Sequence, residues 1–181
     1  MRIVAGSCKG ARIFAPRGFD TRPTGDRVRE AVFNLVGPVD GAAVLDLYAG
    51  SGAMGLEALS RGAASVVFVE SDRDACRTIK RNLDKLGLEG AEIVCRDALS
   101  FLAAERRRFD LILVDPPYDV VESVAVRLAL YLPAVLAENG LVALESSSRL
   151  EPQLPPLAAR TSRCYGSARV TLFENRSANG S

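Results

Sequence analysis

From residue 43 onward the chain alternates between short apolar runs and stretches with helical spacing. The runs at 43–47, 65–70, 91–95, 111–114 and 141–144 suit buried strands, and the spacing between them predicts helices over about 53–61, 72–86, 98–106 and 122–137. Gly62, Gly87 and Gly140 stand where helix stop signals belong. Strands apolar along nearly their whole length, separated by helices, call for a parallel sheet covered on both faces. Two last runs, about 160–165 and 169–174, flank "YGSA", a turn so short that they must pair antiparallel. The expected fold is α/β: a doubly wound, mostly parallel seven-stranded sheet ending in an antiparallel C-terminal hairpin. Upstream, residues 2–5 and 11–14 read as a β-hairpin around a Gly-containing turn. Val28, Ala31, Val32, Leu35 and Val36 then recur at helical spacing and predict an amphipathic helix over 25–36. The expected organisation is a basic hairpin-and-helix extension at 1–36, the sheet domain at 37–176 and a disordered tail at 177–181.

Composition excludes several chemistries. The chain has 181 residues, 48% hydrophobic and 25% charged, enough for one soluble domain with a sizeable core. No apolar run reaches membrane-spanning length and "MRIVAGSCKG" lacks a secretory apolar segment, so a cytoplasmic protein without membrane contact is expected. The four cysteines, Cys8, Cys76, Cys95 and Cys164, form no Cys-x-x-Cys clip, and there is no histidine, so no metal site or disulfide framework is expected. The missing histidine also removes serine–histidine and cysteine–histidine hydrolysis and the commonest general base. Residues 1–36 carry seven Arg or Lys against three Asp or Glu in a chain of net charge +1, so the remainder is mildly acidic. Such an arm suits a docking surface for phosphates or a solvated extension, and charge alone favours the solvated extension.

In doubly wound sheets ligands bind beyond the carboxyl ends of the strands, at the topological switch point. Acids cluster at those ends here: Asp46, Glu70, Asp97 and Asp115. Gly50-Ser51-Gly52-Ala53-Met54-Gly55 matches G-x-G-x-x-G, and Glu70 follows Gly50 by twenty residues. Alone, that pattern is a dinucleotide fingerprint and admits a nicotinamide oxidoreductase. Asp46, inside the first strand, instead suits an ammonium group, and Asp97 suits an adenine amine. A ligand with an ammonium, a ribose diol and an adenine is S-adenosylmethionine. "VLDLYAGSGAMGLEAL" resembles the glycine-rich motif of Rossmann-like class I methyltransferases. The expected cofactor set is Asp46, Tyr48, Ala49, Gly50, Ser51, Gly52, Glu70, Asp97 and Ala98.

The fourth strand runs into Asp115-Pro116-Pro117-Tyr118, which resembles the (D/N)-P-P-(Y/F/W) motif of methyltransferases acting on planar nitrogens. An exocyclic amine is a poor nucleophile with two N–H groups. The Asp115 carboxylate and the Pro116 carbonyl can accept both hydrogen bonds and aim the nitrogen lone pair. Pro116 and Pro117 lack N–H donors and stiffen the corner, and Tyr118 offers a stacking face to an extruded base. Asp115, Pro116, Pro117 and Tyr118 are the expected catalytic residues. A DNA adenine-N6 enzyme and a protein glutamine-N5 enzyme share this chemistry. The first usually carries an added recognition domain, and the second has asparagine where this chain has Asp115.

"TRPTGDRVREAVFNLV" and "RCYGSARVTLFE" resemble the RsmD family of bacterial 16S rRNA guanine-N2 methyltransferases. Arg22, Pro23, Thr24, Arg29, Glu30, Phe33 and Asn34 fall on its R-P-T-x-x-x-x-R-E-x-x-F-N pattern. With D-P-P-Y, the resemblance runs from Arg2 to Glu174. It implies S-adenosylmethionine as methyl donor and N2 of one guanine of small-subunit rRNA as acceptor, the guanine(966)-N(2) type, within the subunit or its assembly intermediate. A monomer is expected. The residues expected to bind RNA are Arg2, Lys9, Arg12, Arg17, Arg22 and Thr24. Arg106-Arg107-Arg108, before the fourth strand, reads as a solvated helix end.

Overall fold

The computed structural model describes residues 1–16, 24–117 and 120–176. The elements in chain order are α1 (Thr24–Val36), β1 (Ala43–Leu47), α2 (Ala53–Ser60), β2 (Ser65–Glu70), α3 (Arg73–Leu86), β3 (Ala91–Cys95), α4 (Ala98–Ala104), β4 (Phe109–Val114), α5 (Val121–Val135), β5 (Leu136–Ser147), β6 (Ala158–Tyr165) and β7 (Ala168–Glu174). The seven strands form one sheet in the order β3-β2-β1-β4-β5-β7-β6. β1 to β5 run parallel, and β7 lies antiparallel between β5 and β6. The order reverses between β1 and β4, which places the switch-point crevice between their carboxyl ends.

Side-chain alternation along the strands supplies two cores. Val44, Val66, Phe68, Leu111, Leu113 and Ala143 face α1, α2 and α3. Leu45, Leu47, Val67, Val69, Ile112, Val114 and Leu144 face α4 and α5. β1, β2 and β4 are therefore apolar on both sides, whereas β3, at the edge, is half open to solvent. Local signals set the helix ends. The Asp72 carboxylate accepts the Ala75 N–H at 2.7 Å and caps α3, whose other end stops at Gly87 in the left-handed region (φ 63°). Among the described residues the four cysteines are free, and no helix is long and apolar enough to cross a membrane.

The expected N-terminal hairpin is present in short form: Arg2 bridges Arg12 antiparallel, with Ile3 N–H bonded to the Ala11 carbonyl at 2.9 Å and Ile13 N–H to the Met1 carbonyl at 3.2 Å. Other donors of the arm go to side chains of the underlying helices: Val4 and Ala5 N–H to the Glu57 carboxylate and Phe14 N–H to Asn82 Oδ1, at 2.7 to 2.9 Å. One expectation needs correction: Gly140 stops no helix. α5 contains Pro133, which has no N–H to continue the ladder, and ends at Val135; β5 begins at once with Leu136 pairing Phe109. The register slips before Leu111 pairs Leu141. Gly140 lies in that irregularity, where a Cβ would stand 2.9 Å from the Phe109 carbonyl oxygen.

Candidate active site

The loop after β1 is built around backbone conformations that favour glycine. Gly50 and Gly52 have φ of 55° and 78°, and Tyr48 adopts 59° without being glycine. A tyrosine held there is strained, as backbone at functional sites often is. Gly55, in the first turn of α2, serves packing. A Cβ on it would stand 2.3 Å from Phe68 Cε1 and 2.8 Å from Val66 Cγ1, so its absence lets α2 lie against β2.

Three acids frame this loop differently. Asp46 is 2% exposed, and its Oδ2 accepts the Gly55 N–H at 2.8 Å. Burial pushes its carboxyl up to about 8, with the Gly55 hydrogen bond opposing and Glu70 adding to the rise. Glu70, at the end of β2, accepts Gly50 N–H through one oxygen and Asp72 N–H through the other, both at 2.8 Å. It therefore fixes the loop between β1 and α2 to the end of β2. Asp97 is exposed and caps α4, its Oδ1 accepting the Ser100 N–H and hydroxyl at 2.8 Å. Those bonds hold its carboxyl below the usual range. Ala98 opens α4, so its N–H lacks an intrahelical acceptor by geometry. Tyr48, half-buried, lies within the fields of Asp97 and Arg127; desolvation first, then Asp97, raises its hydroxyl pKa. Ala49 N–H bonds to the Val69 carbonyl, and Gly52 N–H closes the turn onto Ala49. The nine residues expected to hold a cofactor thus sit on three adjacent strand ends, β1, β2 and β3.

Beyond β4, the Asp115 N–H makes a long 3.5 Å bond to the Leu47 carbonyl, extending the pairing with β1. Asp115 and Pro117 are exposed, Pro116 is buried, and the Pro117 carbonyl accepts the Val120 N–H at 3.0 Å. The Asp115 residue as a whole is exposed. Its carboxyl pKa is nonetheless raised well above the ordinary value, by desolvation first and then by the negative charges of Glu145 and Asp46. Tyr118 lies outside the described residues.

The arm expected to dock RNA is fastened to the body. Glu57, 0% exposed, accepts Val4 and Ala5 N–H and pairs with Arg29 and Arg61. Arg29, 3% exposed, also donates to the Arg2 carbonyl and Asp26. Gly6 packs so tightly that a Cβ would stand 1.7 Å from the Ser60 carbonyl oxygen. Arg2, Lys9 and Arg12 remain exposed. Beside them α3 brings Arg81, whose guanidinium lies 3.6 Å from the centre of the Phe14 ring, and Lys85, which donates to the Arg12 carbonyl. Arg17 and Arg22 lie outside the described residues, as does the side chain of Thr24, the first residue of α1. Nothing in the sequence marks Glu57, Asn82, Arg81 or Lys85, because each finds its partner on the arm more than fifty residues away. Arg107 is paired with Glu105 and Glu92 at the far end of the sheet. A groove of about 550 Å³ there is lined by the amino ends of β1, β2, β3 and β4, remote from the crevice.

This strand order, with a glycine loop after β1 and acids at the following strand ends, defines a Rossmann-like methyltransferase fold. The chain belongs to the RsmD family, whose model, described as "Conserved hypothetical protein 95", matches residues 1–174. YlbH of Bacillus subtilis (strain 168) is 38% identical over 183 residues, covering 97% of this chain and 100% of that one. Ribosomal RNA small subunit methyltransferase D of Escherichia coli (strain K12) is 43% identical over 119 residues, which span 65% of this chain and 60% of that protein. The solved structure of yhhF from Escherichia coli superposes with a TM-score of 0.84 at 34% identity, covering 97% of each chain. SMU.776, solved in complex with SAH, shares the fold at 16% identity and a TM-score of 0.69, over 83% of this chain and 49% of that one.

Proposed function

We propose that this chain transfers the methyl group of S-adenosylmethionine to the exocyclic N2 of a guanine in small-subunit (16S) rRNA, the guanine(966)-N(2) type, acting as a monomer. The observation that carries the reading is the Asp115-Pro116-Pro117 corner on β4, joined to β1 directly beside the glycine loop. The printed names of the relatives support rRNA as the substrate class. The SAH held by SMU.776 is in keeping with the methyl donor.

The residues fit that donor. Gly50 and Gly52 offer a backbone cradle, Glu70 faces the ribose position, and Asp97 with the Ala98 N–H meets the adenine edge. Asp46 stands beneath the loop, where a bound ammonium group would favour its ionised form against the burial that raises it. The bound donor supplies an activated methyl on a sulfonium leaving group, so no histidine is needed and positioning carries the reaction. Asp115 and the Pro116 carbonyl accept the two amine hydrogens, turning the nitrogen lone pair toward the methyl, and Tyr118 stacks on the base. As the N–C bond forms and the C–S bond breaks, Asp115 stands nearest to take the surplus proton. Arg2, Lys9, Arg12, Arg17, Arg22 and Thr24, with Arg81 and Lys85, hold the RNA backbone.

The test is methyl transfer to small subunits from cells lacking this enzyme, with the modified nucleoside identified by mass. The expected product is N2-methylguanosine, lost on Asp115→Ala while S-adenosylmethionine binding persists. A methylated adenine, or full activity of Asp115→Ala, would overturn the assignment.

A further inference from the structure

Asp115 and Glu145 stand at the same level at the ends of two adjacent strands, two residues beyond the level of Asp46 on β1, which pairs with Leu113. Val44, Leu113 and Ala143 point into the core under α1, α2 and α3, and each acid follows one of them by two residues. Period-two alternation therefore directs the acids of β1 and β5 to that same face. β5 continues as regular strand to Ser147, so the pleat fixes the direction of Glu145. Val114 is in register with Leu144, which puts Glu145 beside Asp115 one strand spacing away, about 4.8 Å. Glu145 is half-buried, and its charge acts on the Asp115 carboxyl. The corner on β4 is thus flanked by a second carboxylate on the side away from the glycine loop.

We propose that Glu145 selects guanine by accepting the hydrogen bond of its N1–H while Asp115 and the Pro116 carbonyl hold the N2 amine. This deepens the guanine-N2 reading above and rests on it. The Watson–Crick edge of guanine presents two neighbouring donors, N1–H and N2–H. Adenine presents its amine next to N1, an acceptor. An ionised carboxylate only accepts, so Glu145 completes a pair with guanine and sets lone pair against lone pair with adenine. A polar site that rejects an analogue lacking its donor discriminates far more strongly than shape does. The assignment gives the exposed Asp115-Pro116-Pro117 corner, whose chemistry suits any planar amine, a reason to prefer one base.

The probe is small subunits reconstituted with rRNA carrying either guanine or 2-aminopurine at the position found by mass. 2-Aminopurine keeps the N2 amine but has a bare N1. The wild type should methylate guanine at least about tenfold faster in kcat/KM. Glu145→Gln can turn its amide N–H toward the bare N1 and should narrow that ratio at least about tenfold, with S-adenosylmethionine affinity retained. Equal rates of the wild type on both bases, or an unchanged ratio in Glu145→Gln, would overturn the role of Glu145 alone. Absence of any transfer to guanine N2 by the wild type would overturn the proposed function and Glu145 with it. Because the wild-type comparison needs no variant, poor folding of Glu145→Gln leaves the test intact.

Discussion

The Asn82 side-chain amide donates to the carbonyl oxygen of Ser51 at 3.0 Å, and the same nitrogen donates to the Phe14 carbonyl at 3.0 Å. Its Oδ1 accepts the Phe14 N–H at 2.7 Å. One fully buried side chain on α3 thus ties the end of the N-terminal arm to the glycine loop. Asn82→Ala strands three backbone groups, each costing about 1–3 kcal/mol if water cannot reach it. The expected result is a lower urea midpoint together with weaker S-adenosylmethionine binding, read by denaturation and calorimetry. Loss of stability with unchanged cofactor affinity would mean that the loop does not depend on the arm.

Glu57 accepts both arm amides and faces two guanidinium groups in a site closed to water. Glu57→Gln leaves Arg29 buried with less compensating charge and turns an amide donor toward other donors. Breaking such a pair costs about 3–5 kcal/mol. Hydrogen exchange at Val4 and Ala5 should accelerate in this variant, and urea unfolding should shift by a comparable free energy. Wild-type protection at both amides would refute the latch.

Gly55→Ala places a methyl against the Phe68 ring and Val66, both fully buried. Overpacking of this kind costs about 1–3 kcal/mol. The strain also pushes α2 away from β2 and disturbs the Gly55 N–H bond to Asp46, so both the melting temperature and cofactor affinity should fall. A melting temperature equal to that of the wild type would contradict the contact.

Asp46 holds a proton up to about pH 8 in the fold, against an ordinary value of 3.8. The folded state therefore binds more protons than the unfolded chain between those values, and this group's contribution lowers stability as pH rises from about 4 to 8 and is flat beyond. Asp46→Asn should flatten that part of the profile, as measured by urea unfolding at several pH values. An identical slope in the variant would remove Asp46 as its source.

Asp115 is raised by neighbouring carboxylates as well as by desolvation. A sulfonium bound beside it opposes that rise and favours ionisation. S-adenosylmethionine should therefore release more protons on binding than the uncharged thioether product. Calorimetry in buffers of different ionisation enthalpy reads the difference. Equal proton release for the two ligands would argue that the sulfonium does not face Asp115.

The sequence by itself determined the sheet, the strands of its parallel part and the composition of the crevice. Apolar runs and helical spacing are local signals, and a parallel α/β sheet with a glycine loop after its first strand places successive strand ends on one side. The (D/N)-P-P-(Y/F/W) corner was legible for the same reason: its chemistry lies in consecutive residues. Gly140 misled because a glycine after a helical pattern looks like a stop, whereas Pro133 and the pairing of Leu136 with Phe109 had already ended α5. The hairpin pattern could not show that Val4, Ala5 and Phe14 N–H find acceptors on Glu57 and Asn82, residues that in sequence look like ordinary polar positions on helices. Only tertiary structure decided that the basic arm is latched to the glycine loop, that Arg81 and Lys85 join its surface, and that Glu145 stands beside Asp115. Those relationships depend on register and packing between segments far apart in the chain, where one residue of slip would send Glu145 to the opposite face of the sheet.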